Sequence, residues 1–143
     1  MALFGRRREE AAAPLTPAEA MAGIALSAVY ADGVYTPEEH TDLEVYLEAL
    51  EPFRALGPVA VDAAIRKADA LARRDGPDAM LGACARAVPA DARRAAYGMA
   101  ADLVAADREF GDMEHRFLLR LREFLDLDEA TAAAILETSS VDR

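Results

Sequence analysis

The chain has no tryptophan, one cysteine, two histidines and only 6% aromatic residues, and each scarcity closes off a class of answer. A lone Cys84 permits neither an intrachain disulfide nor a multi-thiolate zinc site. Its setting, Met80-Leu81-Gly82-Ala83-Cys84, reads as a small buried hydrophobe in a helix and suits a reducing compartment. Few aromatics beside 53% apolar residues place the apolar content on alanine and leucine, which favours closely packed helices over strands. Basic residues are outnumbered, 16 against 26 acidic ones, for a net charge of -10. Such a molecule repels polyanions, so no nucleic acid is expected as a partner. Long apolar runs are missing too: Ala20 to Ala31 is 12 residues, short of the roughly 20 that span a bilayer. Arg6-Arg7-Arg8 ahead of that run imitates a signal peptide, yet Glu9, Glu10, Pro14, Pro17 and Glu19 intervene, and the same segment recurs far from any terminus. A soluble, cytoplasmic protein is expected. Also missing are a Gly-rich phosphate loop, any familiar catalytic order of Ser, His and Cys, and the Glu-x-x-His spacing of di-iron bundles. No enzymatic activity is expected.

What the chain does have is a repeat. Residues 16–50 return as residues 91–125, and without gaps 11 of the 35 aligned pairs are identical, Gly23/Gly98, Asp32/Asp107, Glu39/Glu114 and His40/His115 among them. The duplication suggests a pseudo-twofold arrangement, with its two acidic loops either facing each other or on opposite sides. At 143 residues the chain is one domain with a real core. Residues 1–13 show no sustained periodicity and read as a mobile tail, whose Leu3, Phe4 and three arginines allow at most peripheral membrane contact. Residues 14–143 form the helical domain.

Local signals predict an all-α fold of about seven helices in a single bundle-like domain. Thr16-Pro17-Ala18-Glu19 and Thr36-Pro37-Glu38-Glu39 each combine an N-cap threonine, a proline at the first helical position and a glutamate that closes a capping box. Ala20, Gly23, Ser27 and Ala31 line a stripe on the first helix against which another helix can approach closely. Leu43, Tyr46, Leu47 and Leu50 form the apolar stripe of the second helix, which Pro52 ends. A third helix follows Gly57-Pro58, with Val59, Ile65 and Leu71 as apolar positions, and a fourth runs from Pro77 to before Pro89. These two bridge the halves. Asp91 then takes the place of Thr16, Asp112 caps the helix reaching Leu125, and Asp128 caps a last helix whose Ile135 and Leu136 pack inward.

The chemistry resides in two acidic loops. Asp32 and Glu39 flank the first, and the second offers Asp107, Glu109, Asp112 and Glu114. Carboxylates gathered in a tight loop suit hard divalent cations such as calcium or magnesium. The span is too short for an EF-hand. His40 and His115 extend the range to zinc, manganese or iron, but each lies about 100° around its helix from the neighbouring glutamate. A purely structural reading stands beside this: the aspartates satisfy loop amides and Glu39 closes its capping box. Gly111 replaces Thr36 in the second copy while Glu114 persists, which favours a role beyond capping. Tyr35 and Phe110 read as core anchors of the loops.

The phrases Ala25 to Glu39, with Ala31-Asp32-Gly33 and its aromatic and glutamate, and Ala105-Ala106-Asp107 to Glu114 with the Leu-rich helix behind it, resemble the TerB family linked to tellurite resistance. The resemblance covers nearly everything after the tail. It implies a non-enzymatic stress-response domain with a divalent cation at Asp32, Glu39, Asp107 and Glu114; the loop residues themselves add Glu109, Asp112, His40 and His115 as secondary candidates, for Ca, Mg, Mn or Zn. It also implies protein partners in a membrane-associated stress complex. Arg108, standing where the first copy has Gly33, departs from the pattern and puts a cation beside the second loop. The alternative function is an interaction module docking on a membrane-associated or chaperone complex, with the acids serving only as caps.

Overall fold

The structure, a computed structural model, describes residues 14–32, 36–51, 53–105 and 111–138. The tail at 1–13 and the anchors Tyr35 and Phe110 lie outside the described residues. Eight α-helices and two 3₁₀ turns make up the described chain: α1 (Pro17–Val29), a 3₁₀ turn (Tyr30–Asp32), α2 (Pro37–Glu48), α3 (Phe53–Leu56), α4 (Pro58–Asp75), α5 (Pro77–Ala87), a second 3₁₀ turn (Ala90–Ala92), α6 (Arg93–Ala105), α7 (Asp112–Phe124) and α8 (Glu129–Thr138). The all-α expectation is met with one helix more than the seven foreseen. The extra one, α3, follows Pro52 at once, and its Phe53 is fully buried.

Both capping boxes form. Thr16 Oγ1 accepts from the Glu19 amide at 3.1 Å and Glu19 Oε1 from the Thr16 amide at 2.9 Å; Thr36 and Glu39 repeat the pair at 3.1 and 2.9 Å. Each box satisfies two amides that a helix start otherwise leaves unbonded, worth about 1 kcal/mol per cap. Single glycines separate α3 from α4 and α4 from α5. Gly57 and Gly76 sit at φ 89° and 97° with ψ 169° and 154°, a region open only to glycine, and each hands the chain directly to a proline at the next helix's first position.

The core gathers around α1, which packs against α4, α5 and α6. Seven of its 13 residues are buried, and burying Ile24 and Leu26 alone contributes about 1.5–3 kcal/mol each. The small-residue stripe does what its spacing foretold: at Gly23, Cys84 and Met80 of α5 and Ala68 of α4 lie against the backbone itself. Cys84 is fully enclosed, and burial, with the Glu19 charge adding to it, pushes its thiol up to about 12. Of the two helices expected to bridge the halves, α5 packs on both, touching α1 and α7, whereas α4 packs on α1 and α2 of the first.

Three local expectations need correction. Val59 is 83% exposed, because the buried face of α4 is set by Val61, Ala64, Ile65 and Ala68 at helical spacing, and position 59 falls about 200° around the helix from Val61. Asp91 is not an N-cap but lies inside the second 3₁₀ turn. Asp112 occupies the first helical position of α7 and Gly111 the cap. Asp128 does cap α8, accepting from the Thr131 amide at 2.7 Å. Ahead of it α7 ends in a Schellman turn, the Leu127 and Asp126 amides each reaching back 3.1 Å to the carbonyls of Arg122 and Glu123, with Asp126 at φ 57°. Equivalent positions of the two copies meet different surroundings: Ala20 is buried where Ala95 is exposed, and His40 is half-buried where His115 is exposed.

Candidate functional site

Asp32 closes the 3₁₀ turn after α1, its side chain outside the described residues, as are Asp107 and Glu109. The turn packs against α7, so the start of the first loop lies beside the helix that follows the second. Glu39 and Glu114 are both described, and both act as caps. Glu114 Oε1 accepts from the Gly111 amide at 2.8 Å, and the residue is 7% exposed, the one charged side chain buried among the described residues. Losing the hydroxyl of Thr36 at Gly111 therefore removes half of the box and leaves the other half intact, so Glu114 has a capping role in the second copy as well. In each copy Oε1 is engaged by an amide, so a cation would be met by Oε2. Asp112 is exposed.

A second constellation forms one turn away. Advancing about 100° from Glu39 turns His40 off the loop and onto α4. There His40 Nε2 stands 3.3 Å from Asp62 Oδ1, and 3.6 Å from Oε1 of Glu44, one turn along the same helix. Nε2 and one oxygen from each carboxylate lie within 4.8 Å of one another. Ligands held about 2.0–2.2 Å from a tetrahedral zinc are separated by about 3.3–3.6 Å, and the His40–Asp62 and His40–Glu44 separations fall in that range, which is also that of the ion pairs they form without a metal. The side chains are between a quarter and a third exposed, enough for an ion to enter and too little for them to swing freely. Arg66 takes the other oxygen of Asp62 at 2.7 Å. That guanidinium, with His40 beside it, holds the Asp62 carboxyl below the usual carboxylate range and so keeps it ionised.

Sequence reasoning placed His40 in a cation set only through its neighbour Glu39, and the structure pairs it instead with Glu44 and Asp62. Half of that was readable, since His40 and Glu44 are four apart on one helix. Asp62 comes from another helix, and no spacing reveals it. The counterpart His115 is exposed, and among the described residues the α2–α4 group is the one of this kind.

No helix among the described residues is long and apolar enough to cross a membrane. No curated protein and no solved structure matches the chain significantly. A family model does: that of tellurite resistance protein TerB matches residues 18–137, which takes in α1 to α7, both acidic loops and nearly all of α8. The chain belongs to the TerB family.

Proposed function

We propose that this chain is a non-enzymatic, cytoplasmic stress-response domain of the tellurite-resistance type that holds a divalent cation and acts through protein partners. The observation that carries the cation is the convergence of His40, Glu44 and Asp62 at separations that suit one ion. One imidazole with two carboxylates favours zinc or manganese over calcium or magnesium. Asp32, Asp107 and the outer oxygens of Glu39 and Glu114 supply a second, harder ligand set at the loops.

Calorimetric titration of metal-stripped protein separates the two sets. With zinc, His40→Ala abolishes the heat while an Asp32→Ala, Asp107→Ala double variant retains it; with calcium or magnesium the pattern reverses. Absence of heat, and of any rise in melting temperature, with all four ions overturns cation binding. The capping roles of Glu39 and Glu114 favour a second reading, an interaction module whose acids only hold helix starts. A Glu39→Gln, Glu114→Gln variant distinguishes it, because glutamine keeps the capping acceptor and discards the charge. Unchanged calcium affinity in that variant assigns both residues to capping alone.

A further inference from the structure

A cavity of about 510 Å³ opens where the end of α1 meets α4, α5 and α7, far larger than the contact at His40 and within the range of small-molecule sites. Its floor is apolar: Met80 and Leu81 from α5 and Phe117 from α7 are all buried. Its rim is cationic. Arg73 comes from α4, and Arg116 and Arg120 from α7, where Met113, Arg116, Phe117 and Arg120 recur at i, i+3, i+4 and i+7 and so present one face to the cavity.

Two rim carboxylates answer two of the arginines. Asp69 pairs with Arg73 at 2.9 Å and Asp78 with Arg120 at 2.7 Å. Arg116 makes no ion pair among the described residues and is the surplus: among the described lining residues three arginines less two aspartates leave a formal +1, in a chain whose total is -10. At physiological salt exposed charges are screened beyond about 8 Å, so a ligand in the mouth responds to the rim and not to the acidic remainder.

We infer that the cavity binds a small amphipathic monoanion, its single carboxylate or sulfonate head at Arg116 and its apolar body over Met80, Leu81 and Phe117. The site shares no residue with the group His40, Glu44 and Asp62, and nothing in it requires that cation reading to hold.

The probe is 8-anilinonaphthalene-1-sulfonate, titrated by fluorescence against the full chain under native conditions. Saturable binding near one equivalent is expected, displaced by decanoate but not by decyltrimethylammonium or inorganic phosphate. Arg116→Glu should weaken binding at least tenfold, Arg116→Lys should retain most of it, and Arg54→Glu, on α3, should leave it unchanged, with melting curves confirming that each variant is folded. Absence of saturable binding, equal competition by the cationic amphiphile, or an Arg116→Glu variant that binds like the parent overturns the assignment.

Discussion

Gly23 and Gly98 occupy the same position in the two copies, yet replacing each by alanine should shift stability in opposite directions. In a helix interior the exchange gains about 0.8–1 kcal/mol from the unfolded chain's lost freedom. At Gly98 that gain stands almost alone, because the new Cβ would meet only Ile135 Cγ2, at 3.5 Å, an ordinary contact. At Gly23 the new Cβ would overlap Cys84 Sγ and stand 3.3 Å from Met80 Sδ and 3.4 Å from Ala68 Cβ. Cys84 is fully enclosed, so its sulfur has nowhere to turn, and overpacking of this kind costs about 1–3 kcal/mol. Set against the helix gain, Gly23→Ala should lose up to about 2 kcal/mol, a fall of up to roughly 8 °C in Tm at about 2–4 °C per kcal/mol. Cys84→Ala opens the space that the new methyl needs, so the double variant should be more stable than the sum of the two single changes by about 1–3 kcal/mol. Urea denaturation followed by circular dichroism measures the whole cycle. If Gly23→Ala proves as stabilising as Gly98→Ala, or if the two single effects add to within about 0.5 kcal/mol, then α5 does not approach α1 as described.

Two further outcomes follow from the helix ends. Asp126 holds a left-handed conformation at the end of α7 and brings a negative charge to the carbonyl end of the helix. Asp126→Gly should therefore stabilise by about 0.5–1 kcal/mol, and a lower denaturation midpoint would contradict the Schellman turn. Glu19 is driven upward by burial, but the Thr16 amide and the Lys67 ammonium, 3.0 Å away, more than offset that and leave its pKa below the ordinary 4.5. Because the folded value is the depressed one, its contribution is complete above about pH 4.5 and disappears as pH falls through the folded value. Glu19→Gln should be less stable at neutral pH and converge on the parent in acid. Parallel melting curves from pH 7 to pH 2 would rule this out.

The elements were legible wherever chemistry is local. Thr16, Thr36 and Asp128 sit at helix starts that their own side chains satisfy, and the stripe through Gly23 announced a close neighbour without naming α5. The errors arose where position on the helix or a distant segment decides. Val59 is apolar on the wrong side of α4, and Pro52, read as a stop, also precedes a one-turn helix that only the burial of Phe53 explains. At Gly111 the hydroxyl half of the box is absent, as its sequence requires, and the reach-back from Glu114 remains because it needs only a backbone amide. At the candidate site the sequence supplied His40 but not its companions, because a ligand from a second helix leaves no mark in the spacing of the first.

The enclosure of α1 bears on how the molecule can be divided. Most of its cover is drawn from α4, α5 and α6, all of them beyond residue 57, so a fragment ending there would strip α1 of its main packing partners and leave it α2 and the 3₁₀ turn. The recurring segment is thus an arithmetic pattern in the sequence and not an autonomous folding unit. Severed halves should regain structure only by complementation, and the intact chain should melt as one cooperative body.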